Sequence, residues 1–263
     1  MIIPCFEVQE LTLTSPPIRM GQKIRVAAVS YLNTKPLLFG IERSEILQEI
    51  ELLLDYPSQL AEMLGAGTID MASLPVAAIP GIEGARIVSD YGIASDGNVA
   101  SVALFSHVPM EEITEVYLDY QSRTSVKLAQ VLLENYWRRE VTLIPAGKNY
   151  IQEIAGKRAG VIIGDRALQQ LANFEYVYDL SAAWKQWTGL DFVFAAWVAA
   201  RELPADFLQR FNEANAAGFA HLDEIIAAHP FPEYDLRTYY TENIQYLLTV
   251  ERKKGLARFL SLL

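Results

Sequence analysis

The sequence predicts an α/β protein of two lobes with a cleft between them, and three observations lead there. From Lys23 onward, short apolar runs alternate with longer amphipathic ones, the pattern of strands followed by helices. The strand candidates are continuously apolar, as buried parallel strands are, so each lobe reads as a mixed, mostly parallel sheet flanked by helices. Two such βα series are joined by extended crossings, one near residues 86–108 and one near 192–197.

The first series has strand candidates at 24–29, 50–54 and 69–74. Each leads into turn or cap chemistry. Ser30-Tyr31-Leu32-Asn33-Thr34 precedes Lys35-Pro36, Asp55-Tyr56-Pro57-Ser58 opens a helix ending near Gly65, and Ser73-Leu74-Pro75 opens a short one. Residues 86–108 read as extended chain with a break at Gly97. The second series places a strand at 116–118, then a helix over 122–137 with Ala129, Leu132, Leu133 and Tyr136 on one face. Further strands are expected at 141–144 and 160–163. After 192–197 the pattern becomes a run of helices: Pro204 suits a first turn, Phe207, Phe211, Ala214, Gly218, Leu222 and Ile225 form a buried stripe, and 234–246 and 249–263 continue the series. The chain therefore divides into an extension over 1–22, a first lobe of 23–100 with 197–263, and a second lobe of 101–196.

Composition narrows the function classes. Of 263 residues, 51% are apolar and 21% charged, which excludes a disordered or collagen-like chain. A chain of this length buries about three quarters of its unfolded surface and needs no staples. The single cysteine, Cys5, cannot bridge internally and points to a reducing compartment. A net charge of −10 without a basic cluster beyond Arg252-Lys253-Lys254 argues against nucleic acid as a partner. The apolar stretch 192–200 is too short to span a bilayer, and Glu7 and Glu10 interrupt any secretory signal, so no membrane partner and a cytoplasmic location are expected. A monomer and a homodimer fit equally well.

Ligands of open α/β sheets bind beyond the carboxyl ends of the strands, so the loops there are the candidate site. His107, His221 and His229 lack the spacing of a ligand pair on one helix face, so no metal site is expected. His221 reads as a partly buried structural residue, His229 as a helix C-terminal cation, and His107 as a cleft candidate. No nucleophile elbow or phosphate loop is present. What the strand ends do carry is hydroxyl and amide groups: Ser30, Asn33, Ser58, Ser73, Ser101, Ser122, Thr124 and Ser125. Near Ser58 and Ser122 a helix N-terminus with adjacent hydroxyls can bind a carboxylate or phosphate, or the hydroxyls can serve as plain N-caps. Asp165, after Gly164, is placed either for acid–base work or as the cap of the helix at Arg166. Lys35 and Arg123 are the nearby cations.

Five blocks in order carry a family resemblance: Val29-Ser30-Tyr31-Leu32-Asn33-Thr34-Lys35-Pro36-Leu37, Gly97-Asn98-Val99-Ala100-Ser101-Val102, Ser122-Arg123-Thr124-Ser125, Ile163-Gly164-Asp165-Arg166-Ala167-Leu168, and the run from Trp184 to Trp197. Together they resemble the chorismate dehydratases of the futalosine route to menaquinone, from about Ile24 to the last helices. Asp191 stands where the family usually has proline, and Asn98-Val99-Ala100 varies a block that often reads Gly-Pro-Val. The resemblance implies a fold like the type II periplasmic binding proteins, a cleft for the small molecule chorismate, loss of water to give 3-[(1-carboxyvinyl)oxy]benzoate, and neither metal nor organic cofactor. It places Asn33 and Ser101 at the reacting centre. Ser30, Ser58, Ser73, Arg123, Thr124, Ser125, Gly164, Asp165 and Thr188 become the expected substrate contacts. Two other readings share the fold: a solute-binding protein for a small carboxylate, and the sister enzyme that makes a dihydroxynaphthoate. The unsuitable first twenty residues weigh against the former, and the lack of a histidine in the first block against the latter.

Overall fold

The computed structural model describes residues 23–55 and 57–263; the expected extension over 1–22 lies outside them. The chain enters as β1 (Ile24–Ala28), a 3-10 turn (Leu32–Thr34), α1 (Lys35–Glu42), β2 (Ile50–Leu54), α2 (Pro57–Gly65), β3 (Met71–Pro75) and β4 (Arg86–Ser95). It crosses to β5 (Val102–Ser106), β6 (Glu115–Leu118), α3 (Thr124–Asn135), β7 (Thr142–Pro145), β8 (Arg158–Ile163), α4 (Asp165–Gln170), β9 (Tyr176–Asp179) and α5 (Leu180–Thr188). It returns through β10 (Phe192–Ala199), α6 (Ala205–Ala217), α7 (Leu222–Ala228), α8 (Leu236–Thr238), β11 (Gln245–Leu247) and α9 (Val250–Leu260).

Two sheets result. The first has the order β11-β4-β10-β3-β1-β2 and the second β7-β6-β8-β5-β9. The βα units supply the parallel pairs, β1 with β2 and β3, and β6 with β7 and β8. The strands that carry the chain between lobes supply antiparallel ones, β10 with β3 and β4, and β5 with β8 and β9. The sheets are therefore mixed rather than mostly parallel. All of β10 pairs within the first sheet, so the return crossing falls at residues 189–191 and not at 197. β9 and α5, absent from the strand and helix pattern read in the sequence, complete the second lobe.

Packing ties the elements together. Trp184 of α5 is fully buried and meets Phe192 and Phe259 edge-on, with ring centroids 5.5 and 6.1 Å away, so α5, β10 and α9 share one aromatic cluster across the return crossing. Trp197 stands perpendicular to Phe211 at 4.9 Å and donates its indole N–H to Asn215 Oδ1 at 3.0 Å, which fixes α6 on the first sheet. The stripe of apolar residues expected over 207–225 is present, but the helix tightens to a 3-10 turn (Gly218–His221) before α7. Gly218 is required there: a Cβ would lie 1.7 Å from the Pro36 carbonyl oxygen. At Gly40 a Cβ would lie 2.0 Å from that of Ala214, so α1 and the end of α6 meet backbone to backbone.

The expected helix over 234–246 is replaced by three pieces. Asp235 caps α8, accepting from Thr238 N at 3.0 Å. The chain widens into a π turn (Tyr239–Asn243) and then extends as β11 against the edge of β4. Helical spacing of the tyrosines is real over one turn, but the free edge of β4 offers the last three residues ladder hydrogen bonds that a helix would forgo. His221 is exposed rather than partly buried, beside Phe39 and Glu224. His229 does end α7, and burial with the nearby Lys35 pushes its imidazole down, so it is no favoured cation there.

Candidate functional site

A cleft of about 620 Å³, counted out to its mouth, opens between the two sheets. It lies beyond the carboxyl ends of β1, β3 and β8, where an open α/β sheet leaves room for a ligand. Asn33, Ser73, Ser101, Ser122, Ser125 and Gly164 supply its polar wall, and Val29, Ile93, Val99, Val102, Ile163 and Phe194 its apolar one. That mixture, mostly apolar with few polar groups, suits a small organic ligand whose ends are polar.

Asn33 is placed by the 3-10 turn that follows β1. Thr34 fixes the turn by donating its hydroxyl to Val29 O and Tyr31 O at 2.7 and 2.8 Å, and Pro36 starts α1 without needing a hydrogen-bond partner. Ser101 sits at the end of the first crossing. Its carbonyl accepts the Gly164 N–H at 2.7 Å, which ties the β5 and β8 ends together. Gly164 has φ 66° and ψ −148°, a region that side chains rarely enter, so the residue type follows from the backbone. Both Asn33 Oδ1 and Ser101 Oγ are buried and lack a hydrogen-bond partner of good geometry among the described residues. Buried polar atoms are normally paired, so two such atoms on residues lining one cleft mark where a ligand's polar atoms fit.

The N-terminus of α3 also lines the cleft. Ser122 Oγ accepts from Ser125 N at 3.0 Å and so performs the cap, while both side chains face the cleft. Three hydrogen bonds join the lobes around the cavity. Leu32 N donates to Asp165 Oδ1 at 3.1 Å, Tyr31 OH to Gln121 Oε1 at 3.0 Å, and Ala77 N to Thr124 Oγ1 at 3.1 Å. Thr124 and Asp165 therefore hold the walls and do not line the cleft. Burial pushes the Asp165 carboxyl up, with the Leu32 amide and Lys35 pulling against it.

Other expected contacts lie elsewhere. Ser30 is exposed and accepts from Lys35 Nζ at 2.9 Å. Arg123 is exposed and pairs with Glu62 at 3.7 Å. Thr188 donates to Trp184 O at 2.8 Å at the far end of α5, where it serves the helix terminus. His107 follows β5 at its far end and stacks on Phe174 with centroids 4.7 Å apart, away from the cleft. Ser58 begins α2, and its side chain lies outside the described residues. Neither expected cation thus lines the cavity, and its polar lining consists of hydroxyls, the Asn33 amide and the start of α3 instead.

Tyrosines are the group that sequence reasoning missed. Tyr31 lines the cleft, and burial pushes its phenol up to about 12. Tyr239, Tyr240 and Tyr246 are buried and burial raises all three; the Tyr240 and Tyr246 hydroxyls have no hydrogen-bond partner among the described residues, while the Tyr239 hydroxyl lies beside Ser101. All four are neutral donors near pH 7. For Tyr239, Tyr240 and Tyr246 the signal was a cluster of tyrosines over 234–246, masked by its helical spacing. Among the described residues, no group of His, Cys, Asp or Glu could hold a metal ion, and no helix is long and apolar enough to cross a membrane.

A family model described as menaquinone biosynthesis matches residues 24–263. A chorismate dehydratase of Thermus thermophilus is 28% identical over 263 residues, covering 87% of this chain and 91% of that protein. One of Campylobacter jejuni is 28% identical over 242 residues, covering 88% and 93%. Among solved structures, a protein from Archaeoglobus fulgidus superposes with a TM-score of 0.74 at 15% identity, covering 93% of this chain and 97% of that one. The alkanesulfonate-binding protein of Xanthomonas axonopodis pv. citri, bound to MOPS, superposes with 0.62 at 11% identity over 90% of each chain. The likeness to these structures speaks for the fold alone, a two-lobed one of the periplasmic-binding-protein kind.

Proposed function

This chain belongs to the menaquinone biosynthesis family, and we propose that it is a chorismate dehydratase, a cofactor-independent carbon–oxygen lyase of the futalosine route acting in the cytoplasm. The observation that carries this reading is a pair of buried polar atoms without a well-formed hydrogen bond, Asn33 Oδ1 and Ser101 Oγ, on residues of a cleft that a helix N-terminus also lines. Likeness to chorismate dehydratases of two other organisms supports the substrate.

The reaction removes a proton from the ring carbon bearing the enolpyruvyl ether and hydroxide from its neighbour; the C–H electrons form the new ring double bond and water leaves. No electrons are gained or lost overall, so the chemistry asks for no redox partner. Aromatisation drives it, and the protein's task is to hold the ring in the conformer from which both groups depart and to exclude water. The α3 N-terminus with Ser122 and Ser125 takes a carboxylate. Asn33 donates through its amide nitrogen to the leaving hydroxyl or to a carboxylate, and Ser101 makes a second polar contact. The substrate's enolpyruvyl carboxylate acts as the base. Asp165, the nearest raised carboxyl, is already engaged by Leu32 N.

Purified protein incubated with chorismate should develop the chromophore of a benzoate ether. Asn33→Ala should largely abolish turnover with the fold intact, and near-normal activity would remove Asn33 from the mechanism. Chorismate binding without product would instead favour a solute-binding role. If Asp165→Asn lowers kcat about a thousandfold with chorismate still bound, the base is this protein group and not the substrate.

A further inference from the structure

The first crossing between the lobes, residues 96–101, forms one edge of the catalytic cleft. Val99 and Ser101 line that cleft, whereas Asn98 and Ala100 line a second hollow behind it. The crossing is therefore a thin partition whose local twist decides which way each residue faces. The twist is set at Ala100, which has φ 61°. An L-residue rarely adopts that conformation without help, and alanine has no side-chain polar group to stabilise it. The turn closes immediately afterwards, with Ser101 N donating to Val99 O at 2.7 Å.

Help comes from Asp179, at the end of β9. Its Oδ2 accepts the Val99 N–H at 3.0 Å and the Ala100 N–H at 2.8 Å. Its Oδ1 accepts from Ala182 N at 2.9 Å and so caps α5. One carboxylate thus ties the partition to a helix of the second lobe. The Asn98 side chain adds a further acceptor for Ala100 N at 2.9 Å. Asp179 does not line the catalytic cleft.

We propose that Asp179 is a positioning residue for Ser101: by accepting the Val99 and Ala100 amides, it holds Ala100 in the left-handed conformation that turns Ser101 into the cleft. The inference rests on the dehydratase reading for its kinetic consequence, while the backbone claim stands without it. Glycine enters the left-handed region without strain, so the substitution Ala100→Gly should make the carboxylate dispensable for this purpose.

The test is a cycle of four proteins: wild type, Asp179→Ala, Ala100→Gly and the double variant. Their turnover of chorismate, thermal unfolding and amide exchange at positions 99 and 100 are compared. With Ala100 present, loss of Asp179 should lower kcat about tenfold, the cost of a left-handed alanine left unsupported, with KM changed less than about twofold. In the Ala100→Gly background, the same loss should lower kcat less than about threefold. An equal fall in both backgrounds overturns the proposal, as does no fall in either. If Asp179→Ala fails to fold alone and the double variant folds, the proposal stands; failure of both overturns it. Should the wild type leave chorismate unchanged, the dehydratase reading falls alone. The exchange measurement then decides: faster exchange at both amides in Asp179→Ala supports the clamp, and unchanged exchange overturns it.

Discussion

Replacing Gly164 by alanine separates two ways in which a glycine can matter. A Cβ at this position would meet the Tyr31 ring at 3.8 Å, an ordinary van der Waals contact, so the substitution creates no clash. The backbone is the obstacle, because φ 66° with ψ −148° lies in a region nearly reserved for glycine. Residues held in such regions cost about 1–3 kcal/mol, and this combination belongs near the upper end. For a protein of this size each kcal/mol moves Tm by about 2–4 °C, so a fall of about 6–12 °C is expected. Because Gly164 N holds the Ser101 carbonyl at 2.7 Å, a backbone that relaxes would also move Ser101, and kcat should fall with Tm. The control is Gly65→Ala at the end of α2, where a Cβ meets nothing within 4 Å and φ is not in the positive range. Urea and thermal unfolding of both variants, with chorismate turnover, make the comparison. Gly164→Ala with wild-type Tm and activity would refute the reasoning, since it would show that the chain adopts another backbone there without cost.

Three further perturbations follow from the same structure. Gly218→Ala, with its Cβ 1.7 Å from a backbone oxygen of α1, should destabilise by about 3 kcal/mol, read as a lower urea midpoint at unchanged m-value. Asp70 is buried, accepts from Arg25 at 2.7 Å and forms an ion pair with Arg201 at 2.8 Å; Asp70→Asn should lose about 3 kcal/mol, and a variant within about 0.5 kcal/mol of wild type, on the scale of ordinary surface substitutions, would count these pairings as unimportant. Burial pushes the Asp179 carboxyl up to about 6, against the amides that pull it down; Tyr234 is the titratable side chain whose phenol it raises in turn. The folded pKa exceeds the unfolded one near 3.8, so the favourable contribution is complete below pH 3.8 and is lost as pH rises through 6. Its size is about 2 kcal/mol for a carboxyl that keeps some solvent contact, and the stability difference between wild type and Asp179→Ala between about pH 4 and 7 measures it.

Much of this arrangement was legible in the residues because buried strands and their caps are local signals. β1, β2 and β3 were readable from apolar-rich runs, each interrupted by one polar residue (Arg25, Glu51 and Ser73), and α3 from its one-sided stripe. Asn33, Ser101, Ser73, Ser125 and Gly164 could be placed at strand ends, and the structure brings those five to one cavity. What failed was set by tertiary context. β11 exists because β4 leaves an edge free, and β9 has a half-exposed, tyrosine-bearing sequence without the apolar run of its neighbours. Arg123 and Lys35 looked like ligands for an anion by proximity in sequence, yet each has a nearer surface partner, Glu62 and Ser30. The tyrosine hydroxyls could not be assigned in advance, because a period of one helical turn says which face a residue takes and not what its hydroxyl will meet.

The connectivity of the lobes carries a consequence for biogenesis. The second sheet is built from one uninterrupted stretch, β5 to β9, whereas the first combines β1 to β4 with β10 and β11 from the far end of the chain. During synthesis the inner lobe can close on itself while the ribosome is still adding residues, but β3 and β4 wait with exposed edges for β10 to arrive between them. Those edges are the part of the nascent chain that a chaperone must shield, and slowing translation just before Phe192 should lengthen that exposure.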